Sequence, residues 1–373
     1  MKLSDKQEIS KLENSTAYQA GHDMVINQGL NADDVIAIVK TVVASELAIY
    51  TQKAEGKAEE RLKKFSDDLV DELAKKVSDN LNRFNEPSLQ FAVREAALGY
   101  VRSGSDVDEN NLIDLMIERV KVEEHSTKQK LIDQAIKIVP TLSAESLAML
   151  SLLAYRQLSF NGNKSEYVKW VSSVNNVIDI TSKISSLDIE YLQQAGCTTG
   201  MTGLRVHKSW EDTCAQSEDL LFRHMPTEDK INAFLDAIGI RYEENVKGFV
   251  VDNNAVNSTQ LLMVFASSLI DLSTMKVDFN IVSSSAINDL ITNNGLDYVQ
   301  EPLKTLIDSS TPYTKEEIVN FFIGINPNWK KAIDLLNSEQ VTSLRLTPVG
   351  AYIGSRQLAL LSGKDIPIEI FYH

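Results

Sequence analysis

Cysteine is nearly absent from this chain: Cys197 and Cys214 are the two in 373 residues. So few cannot make a disulfide framework, and the scarcity fits a reducing compartment, so a cytoplasmic protein is expected. Long apolar runs are missing too. The longest uncharged stretch, 253–270, opens on Asn253, Asn254, Asn257, Ser258, Thr259 and Gln260 and leaves LLMVFASSLI as its apolar part. Ten such residues suit a core helix and fall short of a membrane span. The opening MKLSDKQEISKLEN alternates charge with single apolar residues, so no secretory signal is expected. Positive charge is in deficit, with 37 Lys and Arg against 52 Asp and Glu, a net charge of −15. That mean field repels a phosphate backbone unless a local basic face overrides it. No G-x-S-x-G elbow and no HExxH helix occurs, which leaves serine hydrolysis and zinc hydrolysis unsupported.

What is present is the composition of a globular protein, 43% hydrophobic and 24% charged, long enough for two or three folding units. Residues 14–29, NSTAYQAGHDMVINQG, place two short uncharged runs around Gly21, His22 and Asp23, the pattern of a β-hairpin. A lone hairpin is marginal in water, so it either folds back onto its own chain or pairs between chains. In the second case Tyr18, Gln19, Gly21, Met24 and Ile26 are the assembly residues. Asn31, with Asp33 and Asp34 behind it, reads as a helix N-cap. The apolar row Leu62, Phe65, Leu69, Leu73, Val77, Leu81 and Phe84 has the period of a nearly straight helix, with Gly56 as a place where it could break.

After Pro87 the pattern predicts four helices up to residue 158, with breaks near 103–105, His125 and Pro140. FNGNKS at 160–165 reads as a boundary, and a second helical region follows through Trp170, Val174, Ile178 and Leu192. KGFVVDNN at 247–254 reads as a strand, with a helix from 257 or 258 to Ile270. Further on, Thr314 and Glu317 form a capping box, helices are expected at 315–323 and 328–337, and VTSLRL reads as a strand. Thr347 and Pro348 start a helix ending near Gly363, and IPIEIFYH reads as a terminal strand. The expected fold is mainly α: a helical array with an N-terminal β-hairpin and a small C-terminal α/β, winged-helix-like segment. Its expected parts are a hairpin segment (1–30), a helical domain (31–160), a mainly helical middle domain (161–299) and a small α/β domain (300–373).

The opening NSTAYQAGHDMVINQGLNADDV, the stretch FNEPSLQFAVREAALGYVRSG and the ending LRLTPVGAYIGSRQLALLSGKDIPIEIF together resemble an uncharacterised bacterial family known by locus-tag names. Its QAG-x-D opening is matched by Gln19, Ala20, Gly21 and Asp23, and its LT-x-x-G ending by Leu346, Thr347 and Gly350. The same opening is associated with proteins of phage-defence islands, so the resemblance implies an immune role. It assigns no catalytic residue.

Four constellations are candidates for chemistry. Arg119 and His125 stand at a spacing that resembles the Arg-to-His motif of HEPN-like ribonucleases, where His moves the proton and Arg steadies the charged phosphate. Val120 departs from that motif, and Glu123 and Glu124 would repel RNA. Lys315, Lys330, Lys331, Arg345 and Arg356, with Trp329 for stacking, could form a winged-helix-like DNA face in a segment of seven basic and eight acidic groups, residues 300–373. Cys197, His207, Cys214 and His224 are too widely spaced for a compact zinc module, and Gly196, Gly200 and Gly203 lack the Lys-Ser/Thr of a nucleotide loop. No metal and no cofactor is expected. The reading favours an anti-phage or stress-response protein that self-assembles or binds a phage or host protein; the HEPN-like ribonuclease and the DNA binder are the alternatives.

Overall fold

The computed structural model describes residues 34, 36–38, 40–41, 52–158, 160, 164–200, 207–217, 221–224, 226–243, 248–251, 270–271, 276–277, 291–293, 296–364, 366 and 371. The expected N-terminal hairpin, with Tyr18, Gln19, Gly21, Met24 and Ile26, lies outside these residues. So do most of the expected terminal strand and the body of the helix expected to end at Ile270.

Helix α1 (Gln52–Lys76) runs through Gly56 unbroken and buries Leu62, Phe65, Leu69 and Leu73 along one face. It closes on Lys75 and Lys76, cations that suit the negative end of the helix dipole. The apolar row does not continue as one helix to Phe84. Residues Ser78–Asn85 tighten into a 3₁₀ segment that still buries Phe84, so the spacing persists while the geometry changes. Pro87 then opens α2 (Pro87–Ser103) from its first turn, where a missing N–H costs nothing, and Gly104 ends it at φ 61°.

Serines start the next three helices by accepting a backbone N–H. Ser105 caps α3 (Asp106–Lys121), Ser126 caps α4 (Thr127–Ile138) and Ser143 caps α5 (Ala144–Tyr155). The four helices expected between Pro87 and residue 158 are therefore α2 to α5, with breaks where Gly104, His125 and Pro140 stand.

A second tier follows: α6 (Lys164–Ser173), α7 (Asn175–Thr181) and α8 (Ser186–Gln194), the last with a Ser185–Asp188 capping box. Strand β1 (Thr198–Gly200) leads to α9 (Trp210–Ser217) and α10 (Glu228–Ala237). Strands β2 (Ile240–Glu243) and β3 (Gly248–Val251) pair antiparallel, as do the short β4 (Ile270–Asp271) and β5 (Lys276–Val277). The C-terminal run is α11 (Gln300–Asp308), α12 (Lys315–Ile325), α13 (Trp329–Asn337), α14 (Glu339–Thr342), β6 (Leu344–Leu346) and α15 (Pro348–Ser362). The Thr314–Glu317 capping box forms, and Gly363 caps α15 at φ 68°.

The strand expected at VTSLRL is shorter, because Val341 and Thr342 belong to α14. Its partner is also not a local one. β6 pairs antiparallel with β1, placing Thr199 opposite Arg345, so this two-stranded sheet joins the middle of the chain to its end. Among the described residues the C-terminal segment closes no sheet of its own.

Packing crosses the positions expected as domain limits at 160 and 299. One hydrophobic cluster extends from Ala58 to Ile366, and α15 lies against α5, α4 and α3. The approach is close because it is made at glycines. A Cβ at Gly350 would collide with the Cys197 carbonyl oxygen, and one at Gly354 with the Leu150 carbonyl oxygen. Beside this contact all three tryptophans gather around Tyr155. Its ring centroid is 5.4 Å from Trp170, 5.9 Å from Trp210 and 6.2 Å from Trp329.

Candidate functional site

Arg119 projects from α3 into the core and is 0% exposed. Its Nε donates to Asp133 Oδ1 at 2.8 Å, Nη1 to Glu124 Oε1 at 2.9 Å, and Nη2 to Ser88 Oγ at 3.1 Å. Arg83 joins from the 3₁₀ segment, donating to the same Glu124 Oε1 at 3.1 Å and to the Val120 carbonyl. Burial by itself disfavours the Arg119 charge, but its bonds to Glu124 and Asp133 outweigh burial and hold its pKa above the ordinary value. Arg119 in turn keeps Glu124 below the usual carboxylate range. These are the marks of a structural tie between α2, α3 and α4, in which the guanidinium edges are already taken by carboxylates and a hydroxyl.

His125 is placed differently. It is exposed in the turn from α3 to α4 at φ 63°, where a non-glycine residue is uncommon, and its backbone N–H donates to Gln129 Oε1. The sequence spacing thus joins a buried arginine to a surface turn residue. A phosphate could reach Arg119 only by displacing Glu124, Asp133 or Ser88. Sequence reasoning missed Arg83, Ser88 and Asp133 as parts of this node, and nothing in their spacing distinguishes them from surface residues.

The C-terminal cations are largely engaged as well. Arg356 holds Asp114 through two bonds of 2.7 Å, Lys330 pairs with Asp334 at 2.9 Å, and Lys315 with Asp212 at 2.8 Å. Trp329, the expected stacking ring, is 0% exposed. Lys331 and Arg345 stand exposed.

The cysteines and histidines are spread over separate contacts. His207 bonds the Leu344 carbonyl through Nε2 at 2.8 Å, while His224 faces Glu317 at 3.1 Å. Cys197 and Cys214 are buried and form no disulfide, and burial pushes Cys197 up to about 12. Buried Arg156 donates to the carbonyls of Leu336 at 2.9 Å and Lys208, and burial lowers its pKa to about 10. Of the three glycines, Gly196 stands at φ 73° in the turn before β1, Gly200 ends β1, and Gly203 lies outside the described residues.

A groove of about 420 Å³ lies between α1, α3 and α15, with Asp68, Asp71, Asn110, Ile113, Gln357 and Leu360 in its lining. Two more of its carboxylates are already matched, Glu72 by Lys75 and Lys76 and Asp114 by Arg356.

A family model for an uncharacterised family named by locus tag matches residues 29–372. The chain belongs to that family. No curated protein and no solved structure matches it. Within the family span, the LT-x-x-G ending now has a physical reason. Thr347 caps α15 by accepting from Gly350 N at 3.2 Å, and its hydroxyl donates to the Gly196 carbonyl at 2.6 Å, 151 residues away. The Thr347 N–H donates to the Cys197 carbonyl at 3.0 Å, the same oxygen that leaves no room for a Cβ at Gly350. In this chain the LT-x-x-G segment is therefore the joint that seats α15 on the turn before β1. No helix among the described residues is long and apolar enough to cross a membrane.

Proposed function

We propose that the protein is a bacterial cytoplasmic defence or stress-response protein that acts by self-assembly or by binding a protein partner, rather than by catalysis. The observation that carries this reading is the fate of its cationic and aromatic groups. Arg119 and Arg356 are spent on internal carboxylates and Trp329 is closed inside the core, so the groups best suited to hold RNA or DNA serve the fold instead. The chain's net charge of −15 works in the same direction. The defence context rests on the resemblance carried by Gln19, Ala20, Gly21 and Asp23, and Tyr18, Gln19, Gly21, Met24 and Ile26 remain the proposed N-terminal assembly residues.

The test is the solution mass of the full-length protein by light scattering on a sizing column, with the 260/280 nm absorbance ratio followed across the peak. The expected result is a mass above one chain, free of nucleic acid. A single-chain mass with a high absorbance ratio would overturn the reading in favour of nucleic-acid binding.

A further inference from the structure

We infer that the outward face of α8, continued by the turn into β1, is a contact between two copies of this chain. On α8, Leu187 is 73% exposed and Tyr191, one turn later, is 38% exposed. Residues at i and i+4 share a helix face, so the two side chains form one apolar ridge. Gln194 extends it by a further turn, and Gly196, Thr199 and Gly200 are exposed beyond it. From Tyr191 to Gly200 the sequence holds no Asp, Glu, Lys or Arg, although a quarter of the chain is charged. Glu190 borders the ridge on one side, and Arg345 lies across the ladder from Thr199.

A single exposed leucine needs no explanation, but an apolar ridge whose charges lie only at its border, at Glu190 and Arg345, invites a partner. Coulomb's law selects which one. A basic partner would gain more from the acidic faces elsewhere on the molecule. A second copy carries the same −15 and is repelled by those faces, so it approaches most favourably where charge is missing. Two copies meeting ridge to ridge about a two-fold axis form a self-complementary contact in which Leu187 and Tyr191 are covered. The ridge is small, so the contact is a weak one whose population rises with concentration.

The inference rests on the self-assembly reading above and names its surface. The full-length protein and a Leu187→Glu/Tyr191→Glu variant are compared by light scattering over a hundred-fold range of concentration. Both positions are exposed, and circular dichroism checks that the variant keeps its helices. The expected result is a native mass moving from one chain toward two, with the variant needing at least ten-fold more protein for the same shift. Leu187→Cys supplies the second measurement. The natural cysteines are 0% and 2% exposed, so mild oxidation should link two copies through the new thiol, whereas Glu59→Cys, exposed on α1, should not link them. A native multimer that ignores the double substitution, with no Leu187→Cys link, overturns this surface and leaves self-assembly standing. A single-chain mass at every concentration, with no link, overturns both.

Discussion

Between α1 and α4 the helices are tied by charged side chains, whereas around Tyr155 the same continuous core is closed by aromatic rings. In the first region Lys64 meets Asp106 and Glu109, and Arg119 meets Glu124 and Asp133. In the second, Trp210 stacks on Trp329 at 5.8 Å, and Phe322 packs on both, 5.6 Å and 4.8 Å from their centroids. Charged ties demand a fixed geometry and respond to pH, while ring contacts are indifferent to pH and sensitive to lost volume. The difference teaches where a substitution should hurt and under what conditions. It also supplies a reporter, since the three tryptophans all lie in the aromatic region and none lies in α1 to α4.

The largest effect is expected from emptying the aromatic region. Trp329→Ala should lower stability by about 3–5 kcal/mol, read as an earlier urea midpoint at unchanged slope, because it opens a cavity that Tyr155, Trp210 and Phe322 cannot collapse to fill. Little or no loss would mean that the ring cluster is loosely packed, and the contrast between the regions would then fail.

Arg119→Met tests the other side. It leaves Asp133 without this cation and Glu124 with Arg83 alone, and the expected loss is about 2–3 kcal/mol; the value stays below that of a fully buried pair because both carboxylates keep some contact with water. The pH dependence has a definite sign. The folded pKa of Glu124 is depressed below its ordinary 4.5, so the stability it contributes is complete above about pH 4.5 and is lost as the pH falls through the folded value. The native protein should therefore lose stability on acidification more steeply than Arg119→Met does. Parallel acid limbs would show that this node does not couple folding to protonation.

A third substitution examines the joint between the regions. Gly354→Ala forces a methyl group toward the Leu150 carbonyl where α15 crosses α5, and should cost about 1–3 kcal/mol through displacement of the helix pair. Because α15 touches both regions, tryptophan fluorescence and helical circular dichroism should still change together in urea. Separate transitions would show that the joint can part while each region stays folded.

How much of this was legible in the sequence depended on the range of the interaction. Local signals read correctly: Thr314 and Thr347 cap the helices expected of them, and Gly363 ends the last one. The buried row Leu62, Phe65, Leu69 and Leu73 also followed from spacing alone. Long-range partners did not. Nothing near Arg345 announces a strand partner at Thr199, and nothing beside Gly350 reveals the Cys197 carbonyl packed against it. The Arg119–His125 pair shows the same limit for a candidate site, since a spacing cannot say that one member turns into the core and the other toward water.

The smallest expected effect lies outside both regions, on the exposed face of α13. Lys330 forms an i,i+4 pair with Asp334, with side chains 57% and 60% exposed, and such a pair contributes about 0.3–0.5 kcal/mol. Lys330→Ala/Lys331→Ala should therefore shift the urea midpoint barely at all, which makes the variant a clean probe of whether these cations face a ligand. If they formed a phosphate-binding surface with Arg345, the native protein would be held by DNA at low salt, released as salt rises, and the double variant would be released earlier. The expected outcome is that neither protein is retained, because Arg356 and Lys315 are held by Asp114 and Asp212 and too few cations remain to oppose an acidic surface. Retention of the native protein that the double variant loses would reverse that balance and place a working basic face on the outer side of α13.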